Sequence, residues 1–200
     1  IFGEIKDRSA VPVLAEGLRR DEMLKSKDWH QERTIPWFQL TLEQIKDDLT
    51  ENQIYTLWAL GSIGDNSAVP AVLEFVKNQE PSVRKVAIYV LGVLKDQRAA
   101  EDLRVALNDS SDDIRWNAAL ALAQLNAPDG AELLTKLLDR SYVDSLQGMT
   151  ADQKTELTVN AVTALGMLKH EPAKAKIQAL GASDPVPSVR SAAMEALKKF

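Results

Sequence analysis

Two hundred residues, 45% apolar and 26% charged with a net charge of −5, describe a folded, water-facing chain rather than a disordered or fibrous one. Acids and bases are interspersed, which argues against nucleic-acid binding, because that needs clustered Lys and Arg to displace phosphate counterions. The absence of cysteine excludes a disulfide framework, a thiolate zinc site and a cysteine nucleophile, and no apolar run is long enough to span a bilayer.

In chain order, the first readable element is half a repeat. Lys6-Asp7-Arg8-Ser9-Ala10-Val11-Pro12 resembles Gly64-Asp65-Asn66-Ser67-Ala68-Val69-Pro70 downstream, so Ile1 falls inside the first helix of its unit. An insertion at about 21–50 follows, carrying Trp29, His30, Ile35, Pro36, Trp37 and Phe38. Thr50-Glu51-Asn52-Gln53 has the form of a capping box and predicts a helix restart there.

From this point a repeat governs the chain. Leu60-Gly61, Leu91-Gly92 and Leu122-Ala123 recur every 31 residues, and the same register carries Ala87 onto Ala118 and Arg84 onto Arg115. Each unit reads as two helices. In the first, Val83, Ala87, Val90, Leu91 and Leu94 form one apolar stripe at helical spacing. A polar turn with Asp65 or Asp96 leads to a second, shorter helix. The expected helices are Ala68–Lys77, Ser82–Lys95, Ala99–Leu107, Asp113–Leu125, Gly130–Leu138 and Thr155–Leu168, separated by turns rich in Asp, Ser and Pro. A second insertion at about 140–154, around Tyr142, Leu146 and Met149, stretches the next step to 43 residues, ending at Leu165-Gly166. Thr150-Ala151-Asp152-Gln153 reads as the capping box that restarts the helix, and a last partial copy runs from Ser188 to Leu197.

The pattern Val83-Arg84, Ala87, Leu91-Gly92, Asp96, Ala99, Leu103 resembles the short HEAT-like repeat of the kind found in phycobilisome lyases. The resemblance implies an all-α fold, a right-handed α-solenoid of helix pairs. Residues 1–200 then form a single solenoid that starts and stops inside repeats, an interior stretch of a longer array whose uncapped end repeats would favour end-to-end self-association. The family is nearly silent on activity, since scaffolds, chromophore lyases, DNA-repair proteins and hydroxylases share it.

Glycine-rich phosphate loops, nucleophile elbows and paired-histidine zinc helices are absent from the sequence. His30 and His170 are the only histidines, and one His170-Glu171 pair cannot supply a di-iron ligand set, so neither catalytic residues nor a metal or cofactor are expected. Arg84, Arg115 and Arg190, near Asp112, Asp113 and Asp184, are expected to form an Asp–Arg ladder between repeats. Opposite the buried stripe at 100° per residue lie Ile54 and Trp58, Lys85 and Tyr89, Trp116 and Leu120, then Val159 and Thr163. An outward aromatic ridge needs a cover or a partner. The first insertion is expected to shield Trp58 through Trp37 or Phe38, leaving Trp116 and Leu120 more exposed. Trp29, Trp37, Phe38, Ile54, Trp58, Tyr89, Trp116 and Leu120 are therefore the candidate partner-binding residues. The expectation is a non-enzymatic protein-interaction scaffold, soluble and by default cytoplasmic, binding a protein or peptide and not nucleic acid. A bilin-lyase-type enzyme is the alternative, and nucleic-acid binding a distant third.

Overall fold

A computed structural model describes residues 8–26 and 42–200, with no strand among them. The helices are α1 (Val11–Ser26), α2 (Leu42–Ile63), α3 (Val69–Leu73), α4 (Pro81–Leu94), α5 (Ala100–Ala106), α6 (Asp112–Gln124), α7 (Ala131–Lys136), α8 (Arg140–Ser145), α9 (Ala151–Met167), α10 (Lys174–Ser183) and α11 (Pro187–Leu197). Contacts divide the chain into two compact units, residues 1–99 and 100–200.

In the first unit α1 packs on α2 and α3, and α2 and α3 both pack on α4. Leu18, Leu57, Leu60, Val72, Phe75, Ile88 and Leu91 are buried, which fits the apolar stripes read from the repeat. In the second unit α6 packs on α5, α7 and α9, while α11 packs on α9 and α10. Here the backbones approach closely. A Cβ at Gly130 would lie 2.6 Å from the Ala119 Cα, and one at Gly166 would lie 2.9 Å from the Ala196 Cα.

Two turn types alternate, and each has a local cause. The long helices end in a left-handed residue, with φ of 70° at Gly64, 53° at Lys95, 58° at Asn126 and 50° at Lys169. That conformation returns N–H groups to the last carbonyls, as when Ala127 N donates to Leu122 O and His170 N to Leu165 O. Asp65 and Asp96 then start the next segment by accepting from the backbone N–H two residues on. At the turns between repeats, the side chains of Asn78, Asp109, Asp139 and Asp184 accept from the N–H of Glu80, Ser111, Ser141 and Val186.

The arginines at the repeated position bind backbone carbonyls of the turn before their own helix. Arg84 Nη1 donates to the carbonyls of Asn78 and Gln79, Arg115 to those of Asp109 and Ser110, and Arg190 to those of Asp184 and Pro185. Each guanidinium thus caps carbonyls at the turn preceding its own helix, where backbone acceptors would otherwise lack partners. Asp112 meets Arg115 within the same helix, one turn apart.

One difference from expectation concerns Thr50, which lies inside α2 rather than at its start. Residues 42–49 contain neither Gly nor Pro, so nothing stops the helix from running through Thr50. The second capping box does form: Thr150 Oγ1 accepts from Gln153 N, and the Gln153 side chain accepts from Thr150 N. The intervening insertion folds as α8 and a loop.

Candidate functional site

The first unit carries an outward aromatic face. Trp58 on α2 is 43% exposed and Tyr89 on α4 is 42% exposed, and their rings meet at 4.9 Å between centroids with planes tilted by 51°. Tyr55, one turn before Trp58, is 63% exposed, and Val93, one turn after Tyr89, also reaches solvent. Ile54 is half-buried. Tyr55 was not among the candidates, although its spacing of three residues from Trp58 puts it on the same helical face. Trp29, His30, Trp37 and Phe38 lie outside the described residues, as does the expected contact of Trp37 or Phe38 with Trp58.

Trp116 reverses the expectation: it is 4% exposed, far more buried than Trp58, and Leu120 is half-buried. The cause is α9. Because α6 packs on α5, α7 and α9, residues around most of its circumference are enclosed, from Ile114 and Trp116 to Ala118, Ala119, Ala121 and Leu122. Trp116 belongs to one cluster with Leu157, Ala161 and Leu165 of α9, against which Tyr142, Leu146 and Met149 of the second insertion also pack. Its Nε1 has no hydrogen-bond partner.

On the short helices, charges of opposite sign pair with one another. Arg19 reaches Glu74 at 3.2 Å, and Arg104 reaches both Asp129 at 2.8 Å and Glu101 at 3.3 Å. Such exposed pairs contribute at most about 1 kcal/mol each, and each offsets the positive charge of its arginine locally. A cleft of about 330 Å³ lies between the turn at Leu138–Arg140 and α10. Its main charges neutralise each other, since Arg140 donates to both carboxylate oxygens of Asp184 at 2.7 and 2.5 Å. His170 begins the short turn before α10 as expected, half-buried, with Nε2 3.6 Å from Glu132 and no hydrogen bond. Among the described residues no three His, Asp or Glu side chains converge as a metal site would require, and no helix is long and apolar enough to cross a membrane.

The repeat register, the paired helices and the conserved geometry of both turn types within the chain define a helical-repeat protein. The chain belongs to the HEAT repeat family, an all-α solenoid class, with matches over residues 38–114 and 78–152. Among solved structures it is similar to the complex of CpcE and CpcF of phycocyanin lyase from Nostoc sp. PCC7120, at 24% identity and a TM-score of 0.57, covering 84% of this chain and 68% of that one. It is also similar to an engineered protein, at 17% identity and a TM-score of 0.53, covering 99% and 86%. The likeness is one of fold.

Proposed function

We propose that the chain is a non-catalytic interaction scaffold that holds a protein or peptide through the outer face of α2 and α4. The observation that carries this reading is the exposed trio Tyr55, Trp58 and Tyr89 on two adjacent helices. Aromatic side chains bury a large area at little entropic cost and dominate interface hot spots, so three aromatic residues kept at the surface are well placed to anchor a partner. The similar phycocyanin lyase structure is itself a complex of two chains, which agrees with partner binding on such a fold.

The test is partner capture with the wild-type chain and with a Trp58→Ala/Tyr89→Ala variant, each checked for its unfolding midpoint. Loss of the captured partner at an unchanged midpoint is expected, whereas equal capture by both proteins would remove this face from consideration. The lyase reading rests on fold likeness alone. Its own test is to mix the chain with a bilin and an acceptor subunit and look for a covalent product absorbing visible light; such a product would displace the scaffold reading.

A further inference from the structure

The aromatic face has a charged border, and the border selects the kind of side chain that fits. On α2 the exposed residues Asp47, Glu51, Tyr55, Trp58 and Ser62 follow one another at steps of three or four, so they lie along one side of the helix. Two carboxylates therefore stand one and two turns ahead of two exposed rings. Neither carboxylate is paired among the described residues. On α4 the matching series is Lys85, Tyr89 and Val93, with a single positive charge one turn before Tyr89. Among the described residues these two series carry two negative charges to one positive, and the whole chain carries −5.

We infer that the face takes an arginine side chain of a basic partner segment, its guanidinium lying over Tyr55 beside Trp58 and its N–H groups reaching Glu51, with Asp47 adding its negative charge one turn further along. This rests on the scaffold reading above and names the chemistry of its partner. Three properties point the same way. An aromatic ring attracts a cation to its face, and a guanidinium, being planar and weakly hydrated, also stacks on it. Residues four apart on a helix have Cβ atoms about 5–6 Å apart, so a group resting on Tyr55 is within reach of the Glu51 carboxylate. A purely apolar anchor would be served by the rings but would leave the two acids unused. An acidic partner would be repelled by them.

The experiment is nuclear magnetic resonance on the full, 15N-labelled chain. Its four tryptophans give separate indole N–H signals, and the signal of Trp58 is identified by its loss in Trp58→Phe. Three short capped peptides are titrated, alternating glycine with arginine, with glutamate or with leucine. A saturable shift of the Trp58 signal is expected with the arginine peptide. Asp47→Asn/Glu51→Gln should weaken that binding about threefold to tenfold, and Lys85→Gln should tighten it, as for exposed charge pairs. The inference is overturned if the arginine peptide leaves Trp58 unmoved or if the acid-to-amide variant binds it equally well. It is equally overturned if the leucine or glutamate peptide binds as tightly. A leucine or glutamate result would leave the scaffold reading standing with a different anchor. That reading falls if partner capture survives the loss of Trp58 and Tyr89.

Discussion

Trp58 and Trp116 differ by one helical turn in the repeat register, and their environments are opposite. Trp116 sits in the α6–α9 cluster at 4% exposure, whereas Trp58 keeps nearly half its surface in water. Truncating a buried tryptophan removes its transfer free energy and leaves a cavity, so Trp116→Ala should cost about 3–5 kcal/mol in a urea unfolding experiment. Trp58→Ala should cost about 1 kcal/mol or less, chiefly the ring contact with Tyr89. Trp116→Phe should be milder than Trp116→Ala, because the phenyl ring refills much of the cavity while both variants shed an indole N–H that is buried without a partner. Equal losses at Trp58 and Trp116 would contradict the assigned burial. The helical wheel could not separate the two residues. It gives an angle relative to the partner helix of the pair but not whether a flank is closed by the next long helix, and that depends on how α9 follows the insertion containing Tyr142 and Met149.

At the scale of elements, the apolar stripe of the repeat was legible in the sequence. Leu91 and Leu122 are fully buried, and Lys77 and Lys136 are exposed, as the stripe of apolar residues predicted. The turns were legible as turns because Asp65, Asp96, Asp109 and Asp184 carry acceptors suited to the N–H two residues on. That Arg84, Arg115 and Arg190 bond to carbonyls was not legible, since a carbonyl acceptor leaves no mark in the side-chain sequence. The start of α2 was missed for a related reason: Thr50 and Gln53 have the spacing of a capping box, but a helix already running leaves it no exposed N–H groups to satisfy. Two glycines give a sharp test of helix contact. Gly130→Ala would place a methyl carbon about 2.5 Å from the Ala119 Cβ and 2.6 Å from its Cα, so the helices must separate. A cost of about 1–3 kcal/mol is expected, as for other overpacked sites. Gly17→Ala, in α1 with no atom within 4 Å of the new methyl, should instead stabilise the protein by about 0.5–1 kcal/mol through helix propensity. If Gly130→Ala raises the thermal midpoint as Gly17→Ala does, the close contact at Gly130 is not present.

Over the whole molecule, one device recurs at the turns, and it makes stability depend on acid. Asp65, Asp96, Asp139 and Asp184 are each held below the ordinary carboxyl value of 3.8. For Asp65 the Ser67 backbone N–H is the main cause, and for Asp139 it is the Ser141 hydroxyl. The Arg98 guanidinium, aided by the Arg98 N–H, lowers Asp96 to about 2. Asp184 is pushed upward by its burial, but hydrogen bonds from Arg140 and the Val186 N–H, with the charges of Arg140 and Arg190, outweigh that. Because the unfolded chain binds these protons more readily than the folded one, the stabilisation is fully present above 3.8 and is lost as pH falls toward about 2. Urea unfolding followed from neutral pH into this acid window should therefore show a falling midpoint. Asp96→Asn separates this cause from general charge repulsion. The variant should be less stable than wild type at neutral pH, and the gap should close as the wild-type carboxylate is titrated. A gap that stays constant down to about pH 2 would mean that Asp96 acts by shape rather than by charge.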